Sequence, residues 1–126
     1  MHTFEELISV VEHLRSEDGC PWDREQTFES LKKCVLDECQ EVVQAVDHQD
    51  MENLCEELGD VLLQVLMYSR IAAEKGLFTL DDVVDGICEK MIRRHPHVFG
   101  DRKVQTAEES LALWNEIKKQ EKAKKP

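Results

Sequence analysis

Residues 51–75 read MENLCEELGDVLLQVLMYSRIAAEK, a run without proline in which nearly every helical face is apolar. Taken alone, the mostly apolar segment 61–68 has the character of a short buried strand. It lies inside a longer helical pattern without turn residues, so the stretch predicts one helix from about Met51 to Lys75. No other segment alternates convincingly with a period of two. The sequence therefore predicts an all-α fold.

Start and stop signals divide the rest of the chain into further helices. The predicted helices span about Thr3–Ser16, Thr27–Val46, Met51–Lys75, Leu80–Arg94 and Thr106–Lys119, with a loop at residues 19–23. Three of the starts carry a threonine followed three residues later by an acid, which is the spacing of a capping box. We therefore expect a compact bundle of four to five helices, completed by dimerisation because the third helix is so apolar.

The chain is short and acidic, with 126 residues and a formal net charge of −11. This length fits one domain, which we expect over residues 1–119, followed by a polar, flexible tail over 120–126. Nucleic-acid polymers and anionic membranes both attract positive charge, so the composition argues against either as the main partner.

The number and spacing of the cysteines, together with residues 1–11, favour one cellular compartment for the protein. Five cysteines are an odd number without a CxxC pair, which argues against a disulfide framework and against a structural zinc site. Residues 1–11 include Glu5 and Glu6 and have no basic region ahead of an apolar core, so we do not expect them to form a signal peptide. We expect a reduced, cytoplasmic protein with no membrane span.

Four acidic side chains lie where the helical pattern is apolar. Glu38 and Glu41 occupy the second predicted helix, and Glu57 and Asp60 the third. Each pair is three residues apart and so shares one side of its helix. Buried, unpaired carboxylates are costly, and no lysine or arginine occurs between residues 34 and 69. A hard cation, Mg²⁺ or Mn²⁺, would supply the missing positive charge. Alternatively, the acids form a solvated rim or pair with basic groups from elsewhere.

Positive charge is concentrated at the end of the fourth predicted helix. Lys90, Arg93 and Arg94 lie in its last turn, and Arg102 and Lys103 follow shortly after. Cations at this end of a helix also offset the helix dipole, which is a sufficient structural reason for the cluster alone. Beside a metal held by carboxylates, however, a clamp of lysine and arginine is suited to binding a polyphosphate.

Four strings of the sequence carry a family resemblance. They are GCPWD at residues 19–23, DECQE at 37–41, EELGD at 56–60 and KMIRRHPHVFG at 90–100, with Trp114 four positions before Lys118. Together they resemble the MazG family of nucleoside triphosphate pyrophosphohydrolases, over residues 14–118. Asp37 stands where the family pattern has a glutamate, while the spacing from Glu38 to Glu41 is intact.

The resemblance implies both a set of site residues and a reaction. The implied Mg²⁺ ligands, with Mn²⁺ as a substitute, are Glu38, Glu41, Glu57 and Asp60, and the implied nucleotide-binding set is Lys90, Arg93, Arg94, Trp114 and Lys118. It also implies hydrolysis between the α and β phosphates to a nucleoside monophosphate and pyrophosphate, in nucleotide-pool house-cleaning, by a dimer or dimer of dimers. Glu38 is our candidate for the base that accepts the proton of the attacking water.

Several ring side chains have two interpretations each. His95 and His97 are interpreted as structural residues or as phosphate donors. Trp22 either shapes the lip of a pocket or pins its loop to the bundle, and we favour the pin. Trp114 either stacks on the base of the nucleotide or packs within the fold.

Two rival functions follow from the same residues. One is a catalytically silent helical module of the same fold, used for nucleotide sensing or oligomerisation, which the retained acidic and basic clusters oppose. The other is a carboxylate-bridged di-iron bundle. That class uses Glu-x-x-His motifs, and neither acidic pair here contains a histidine.

Overall fold

The computed structural model describes residues 1–125, which form seven helices and no strand. The helices are α1 Phe4–Leu14, α2 Pro21–Glu25, α3 Lys32–Asp47, α4 Met51–Glu74, α5 Leu80–Arg94, α6 Pro96–Phe99 and α7 Ala107–Lys124. The prediction of an all-α fold is confirmed. Pro126, at the end of the expected tail, lies outside the described residues. The chain divides into two compact units, Met1–Leu80 and a second unit that begins at Asp81.

The core of the first unit is built on the C-terminal half of α4, against which α1 packs. Its buried members are Val11, Leu31, Leu66, Met67 and Ile71. The rings of Phe28 and Tyr68 stack with centroids 6.0 Å apart. The Tyr68 hydroxyl donates to the Phe28 carbonyl at 2.9 Å, so the polar end of a half-buried ring is satisfied.

A short turn joins α3 to α4 and makes them antiparallel neighbours that pack along each other. Gln49 takes a left-handed backbone conformation, with φ at 55°. The Asp50 side chain then accepts a hydrogen bond from the Asn53 N–H at 3.1 Å and caps α4. This pairing places the acidic residues of the two helices at adjoining positions.

The segment between α1 and α3 departs from prediction. Residues 21–25, partly expected as loop, form the short helix α2, since Pro21 at its first position is already set for a helix. The next helix begins at Lys32 rather than near Thr27, because the hydroxyls of Thr27 and Ser30 each accept the other's backbone N–H. Gly19 is required here, because a Cβ would collide with the carbonyl oxygens that end α1.

The second unit contains α5 from Asp81 onward, α6 and α7. α5 ends at Arg94, as predicted, and Pro96 opens α6 directly afterwards. Thr106 caps α7 by accepting from the Glu109 N–H at 3.1 Å, which confirms the predicted cap. The Glu109 side chain accepts from the Gln105 N–H at 2.8 Å rather than from the Thr106 N–H. α7 continues to Lys124, beyond the predicted end at Lys119. Among the described residues, no helix combines the length and apolarity needed to cross a membrane.

Candidate functional site

Three of the four predicted acidic residues come together in the first unit. Glu38 and Glu41 lie one turn apart on α3, and Glu57 lies on the neighbouring α4. Each offers a carboxylate oxygen, and these oxygens lie within 4.8 Å of one another. Asp60, one turn further along α4, falls outside this group of three, but its charge still acts on Glu38. We call Glu38, Glu41 and Glu57 the acidic cluster.

Burial leaves part of the acidic cluster without a hydrogen-bond partner. Glu57 is buried, with 9% of its surface exposed, and its Oε2 atom has no partner. The Oε2 atom of Glu38 is likewise buried and unpartnered. Within residues 1–80, no lysine or arginine forms an ion pair with either group. The alternative in which basic groups answer these charges therefore finds no support within this unit.

The electrostatics of the acidic cluster follow from this crowding. Hydrogen bonding with Glu41, burial and the nearby Glu38 together raise the pKa of Glu57 to about 8. Burial also raises the pKa of Glu38, with the charges of Asp60 and Glu41 adding to it and a hydrogen bond from Glu57 opposing it. Without a cation, protonation relieves the repulsion between these groups. The set consists only of hard oxygen donors, two of them unpartnered, and so fits a divalent cation such as Mg²⁺.

The predicted nucleotide-binding residues lie in the second unit. Arg94 stacks over the ring of Trp114, with its guanidinium carbon 4.8 Å from the ring centroid. Both arginines at the end of α5 also bind one carboxylate, that of Glu121 on α7. Lys90 is half-buried and Lys118 is exposed. Trp114 thus packs within the unit, as one of its two interpretations proposed.

Glu121 was not among the predicted site residues. Its Oε2 accepts from Arg93 Nε at 2.5 Å, and its Oε1 accepts from an Arg94 N–H at 2.8 Å. These two partners lower the pKa of Glu121 to about 2. The available signal was spacing, because Glu121 follows Trp114 by seven residues and Lys118 by three, which puts all three on one face of α7.

The two histidines beside Pro96 have different surroundings. The His95 Nδ1 atom lies 2.6 Å from the Met91 carbonyl, which makes it the donor, and its ring lies edge-on to Trp114 at 5.4 Å. This fits the structural interpretation of His95. The His97 Nδ1 atom is buried without a partner, and the two imidazole rings lie 5.5 Å apart.

The GCPWD loop is held by a residue that the sequence analysis did not single out. Arg15 donates to the carbonyls of Asp23 and Gln26 and forms two hydrogen bonds with Glu74 on α4. Trp22, the predicted pin, is 58% exposed. That prediction is wrong, because a buried, charge-assisted arginine anchors the loop and leaves the indole at the surface.

Comparisons with known proteins agree on one family. The family model described as the MazG nucleotide pyrophosphohydrolase domain matches residues 26–99, more than half of the chain. That range contains the acidic cluster, Asp60 and the basic residues at the end of α5, whereas Trp114 and Lys118 lie outside it.

The relatives include proteins whose activity is named. A nucleoside triphosphate pyrophosphohydrolase/pyrophosphatase MazG of Thermotoga maritima is 52% identical over 97% of this chain and 46% of its own length. A nucleoside triphosphate pyrophosphohydrolase of Escherichia coli is 42% identical over 99% of this chain and 48% of its own. The uncharacterised YabN of Bacillus subtilis is 52% identical over 96% and 25%. This chain thus spans about half, or less, of the curated relatives it matches.

A solved structure gives the same result. The crystal structure of a mazG-related protein from Thermotoga maritima superposes with a TM-score of 0.75 at 33% identity, covering 91% of this chain and 98% of that one. The predicted resemblance is therefore confirmed by sequence and by fold. The chain belongs to the MazG nucleotide pyrophosphohydrolase family.

Proposed function

We propose that this protein hydrolyses nucleoside triphosphates between the α and β phosphates, giving a nucleoside monophosphate and pyrophosphate. The observation that carries the proposal is the acidic cluster, in which Glu38 and Glu57 hold buried oxygens without partners. Buried carboxylates in this state support the proposal of a bound divalent cation, which would supply the missing partner. The named activities of the relatives support the same reaction.

We propose that Mg²⁺ binds the acidic cluster, with Mn²⁺ as a substitute, and that Asp60, whose charge acts on Glu38, contributes to this site. When bound, a divalent ion neutralises phosphate oxygens and lowers the pKa of a coordinated water. Glu38 remains our candidate for the group that accepts the proton of the attacking water. The anhydride bond between the α and β phosphorus atoms breaks, and pyrophosphate leaves.

The basic residues of the second unit are proposed to bind the nucleotide. Arg93 and Arg94 present paired N–H donors to phosphate oxygens, whereas Lys90 and Lys118 act as point charges. Trp114 already packs against Arg94, so any contact with the base would use what remains of its partly exposed ring.

A dimer or dimer of dimers is part of the proposal. Leu58, Leu62 and Val65 form a stripe on α4, and Leu36 and Val43 form another on α3, all classed as exposed. Exposed apolar stripes on two neighbouring helices are typical of an interface with a second copy. Light scattering during size-exclusion chromatography tests this directly, and a monomer at micromolar concentration would contradict it.

The biological role follows from the products. Conversion of triphosphates to monophosphates removes them from the polymerase substrate pool, so we propose nucleotide-pool house-cleaning in the cytoplasm. The proposed reaction at the acidic cluster requires only a free nucleotide and not a nucleic-acid polymer.

One assay tests the reaction. The protein is incubated with mixed nucleoside triphosphates and Mg²⁺, and the products are separated by ion-exchange chromatography and phosphorus NMR. Monophosphate and pyrophosphate in equal amounts are expected, with no turnover in the presence of EDTA. Diphosphate and orthophosphate would contradict the proposed bond.

The catalytically silent alternative makes a different prediction in the same samples. A sensing module binds the triphosphate, as seen by calorimetry, but leaves it intact with Mg²⁺ and with Mn²⁺. The buried, unpartnered carboxylates of Glu38 and Glu57 favour the enzyme, because nucleotide sensing alone does not require them.

A further inference from the structure

One face of α7 carries three side chains, two of which contact the end of α5. Trp114, Lys118 and Glu121 are spaced by four and three residues, so they project from the same side of the helix. Two of them belong to the proposed nucleotide-binding set. The third, Glu121, touches two more members of that set, Arg93 and Arg94.

Glu121 binds only one N–H donor of each arginine. Each guanidinium gives one N–H to the carboxylate, from Nε in Arg93 and from a terminal nitrogen in Arg94. An arginine has five N–H donors, so Glu121 leaves four donors of each side chain unused. The Nε atom of Arg94 is buried and has no partner.

These contacts also restrict how the arginines can move. The Arg94 side chain is only 12% exposed, held between the Glu121 carboxylate and the face of Trp114. Arg93 is half exposed, and the carboxylate is its recorded ion-pair partner. A free arginine samples many rotamers, and binding a phosphate must then restrict them.

We propose that Glu121 is a positioning residue that fixes Arg93 and Arg94 in place before the nucleotide phosphates bind. The inference rests on the proposed function, in which these arginines bind phosphate. Because one carboxylate binds two guanidinium groups, the set keeps a net positive charge and remains able to attract an anion.

A second ion pair on α7 shows what an ordinary surface contact looks like. Glu116 lies 3.7 Å from Arg102, with both side chains more than half exposed. Exposed pairs of this kind contribute little to stability. Glu116→Gln is therefore the matched control, because it removes a carboxylate from the same helix without touching Arg93 or Arg94.

The test is steady-state kinetics of Glu121→Gln, using the triphosphate that the wild-type protein turns over fastest. Glutamine keeps the shape of the side chain but is uncharged and replaces one of the two oxygens that accept from Arg93 and Arg94 with an NH2 donor, so it cannot keep both contacts as they are. We expect KM to rise roughly tenfold with kcat within about twofold, as loss of ground-state phosphate binding requires. Glu116→Gln should match the wild type in both constants.

Other outcomes decide against the inference. An unchanged or lowered KM in Glu121→Gln would show that the carboxylate is neutral or competes with phosphate. If that variant melts early, Glu121→Asp is the second variant, because it keeps the charge but moves the carboxylate back by one methylene group from both arginines, and a KM equal to wild type there also overturns the inference. Absence of monophosphate and pyrophosphate in the wild-type sample would instead refute the proposed function, which separates the two failures.

Discussion

The acidic cluster and the arginine pair, Arg93 and Arg94, differ in whether oppositely charged groups balance their charges. In the acidic cluster, like charges face one another, and Glu38 and Glu57 keep buried oxygens without partners. At the arginine pair, the Glu121 carboxylate accepts a short hydrogen bond from each of the two guanidinium groups. The first arrangement fits the cation that we propose, whereas the second is balanced by side chains of the same unit.

The pKa values of the two regions record this difference. The neighbouring carboxylates and burial raise the pKa of Glu57 to about 8, whereas two arginines lower the pKa of Glu121 to about 2. Glu57 has no ion-pair partner among residues 1–80. The low pKa of Glu121 instead follows from its two positive partners, Arg93 and Arg94.

Glu57→Gln should give the largest effect. The substitution removes a charge from the acidic cluster, so we expect turnover to fall at least about 100-fold while the helical fold stays intact. Activity with Mg²⁺ and circular dichroism measure the two halves of this prediction. Glu56→Gln, which alters an exposed neighbour on the same helix, is the control and should keep wild-type activity. Unchanged activity in Glu57→Gln would remove this residue from the metal site.

The metal-free protein should lose stability as pH rises. The folded-state pKa of Glu57 lies at about 8, above its ordinary value of 4.5. The contribution of this group to the free energy of unfolding is therefore full below pH 4.5 and is lost as pH rises through 8. Mg²⁺ should reverse the trend, since it binds the ionised carboxylates and displaces the proton. Melting temperatures between pH 5 and 9, with Mg²⁺ or with EDTA, measure this. A melting temperature that rises with pH in EDTA would contradict the proposed crowding.

The helical core and the acidic cluster were accessible from sequence because both depend on periodicity. α4 runs from Met51 to Glu74, within one residue of its prediction, and α5 matches its predicted bounds. Packing of two adjacent helices brings acids at their apolar positions near one another, as it does for three of the four here. Periodicity says nothing of Trp22, whose exposure depends on how Arg15 anchors the loop.

Glu121 shows why other parts of the site were not predicted. Its partners lie 27 and 28 residues away in sequence, on another helix. A glutamate in a polar, lysine-rich segment has the pattern of a solvated surface residue, and only the tertiary contact distinguishes it. The two short helices were missed for a related reason, since neither is long enough to show a helical repeat.

Lys118→Ala should weaken nucleotide binding moderately. Lys118 is exposed on the same face of α7 as Trp114, so a point charge there is screened by solvent. We expect about fivefold weaker affinity at low salt, with melting unchanged. Calorimetry with a slowly hydrolysed triphosphate analogue measures it, and Lys119→Ala, which projects from a different side of α7, is the control. A lower melting temperature with intact binding would make Lys118 structural.

The smallest expected effect is the contribution of Glu121 to stability. Its folded-state pKa lies at about 2, below the ordinary value of 4.5, so its stabilisation is present above pH 4.5 and is lost as pH falls toward 2. The pH dependence of this stabilisation is opposite to that of Glu57, whose stabilisation is lost as pH rises. The melting difference between wild type and Glu121→Gln should therefore be small near pH 7 and should shrink below pH 4.5. A difference that instead grows in acid would show that Glu121 is not held by Arg93 and Arg94, and the contrast between the two regions would fail.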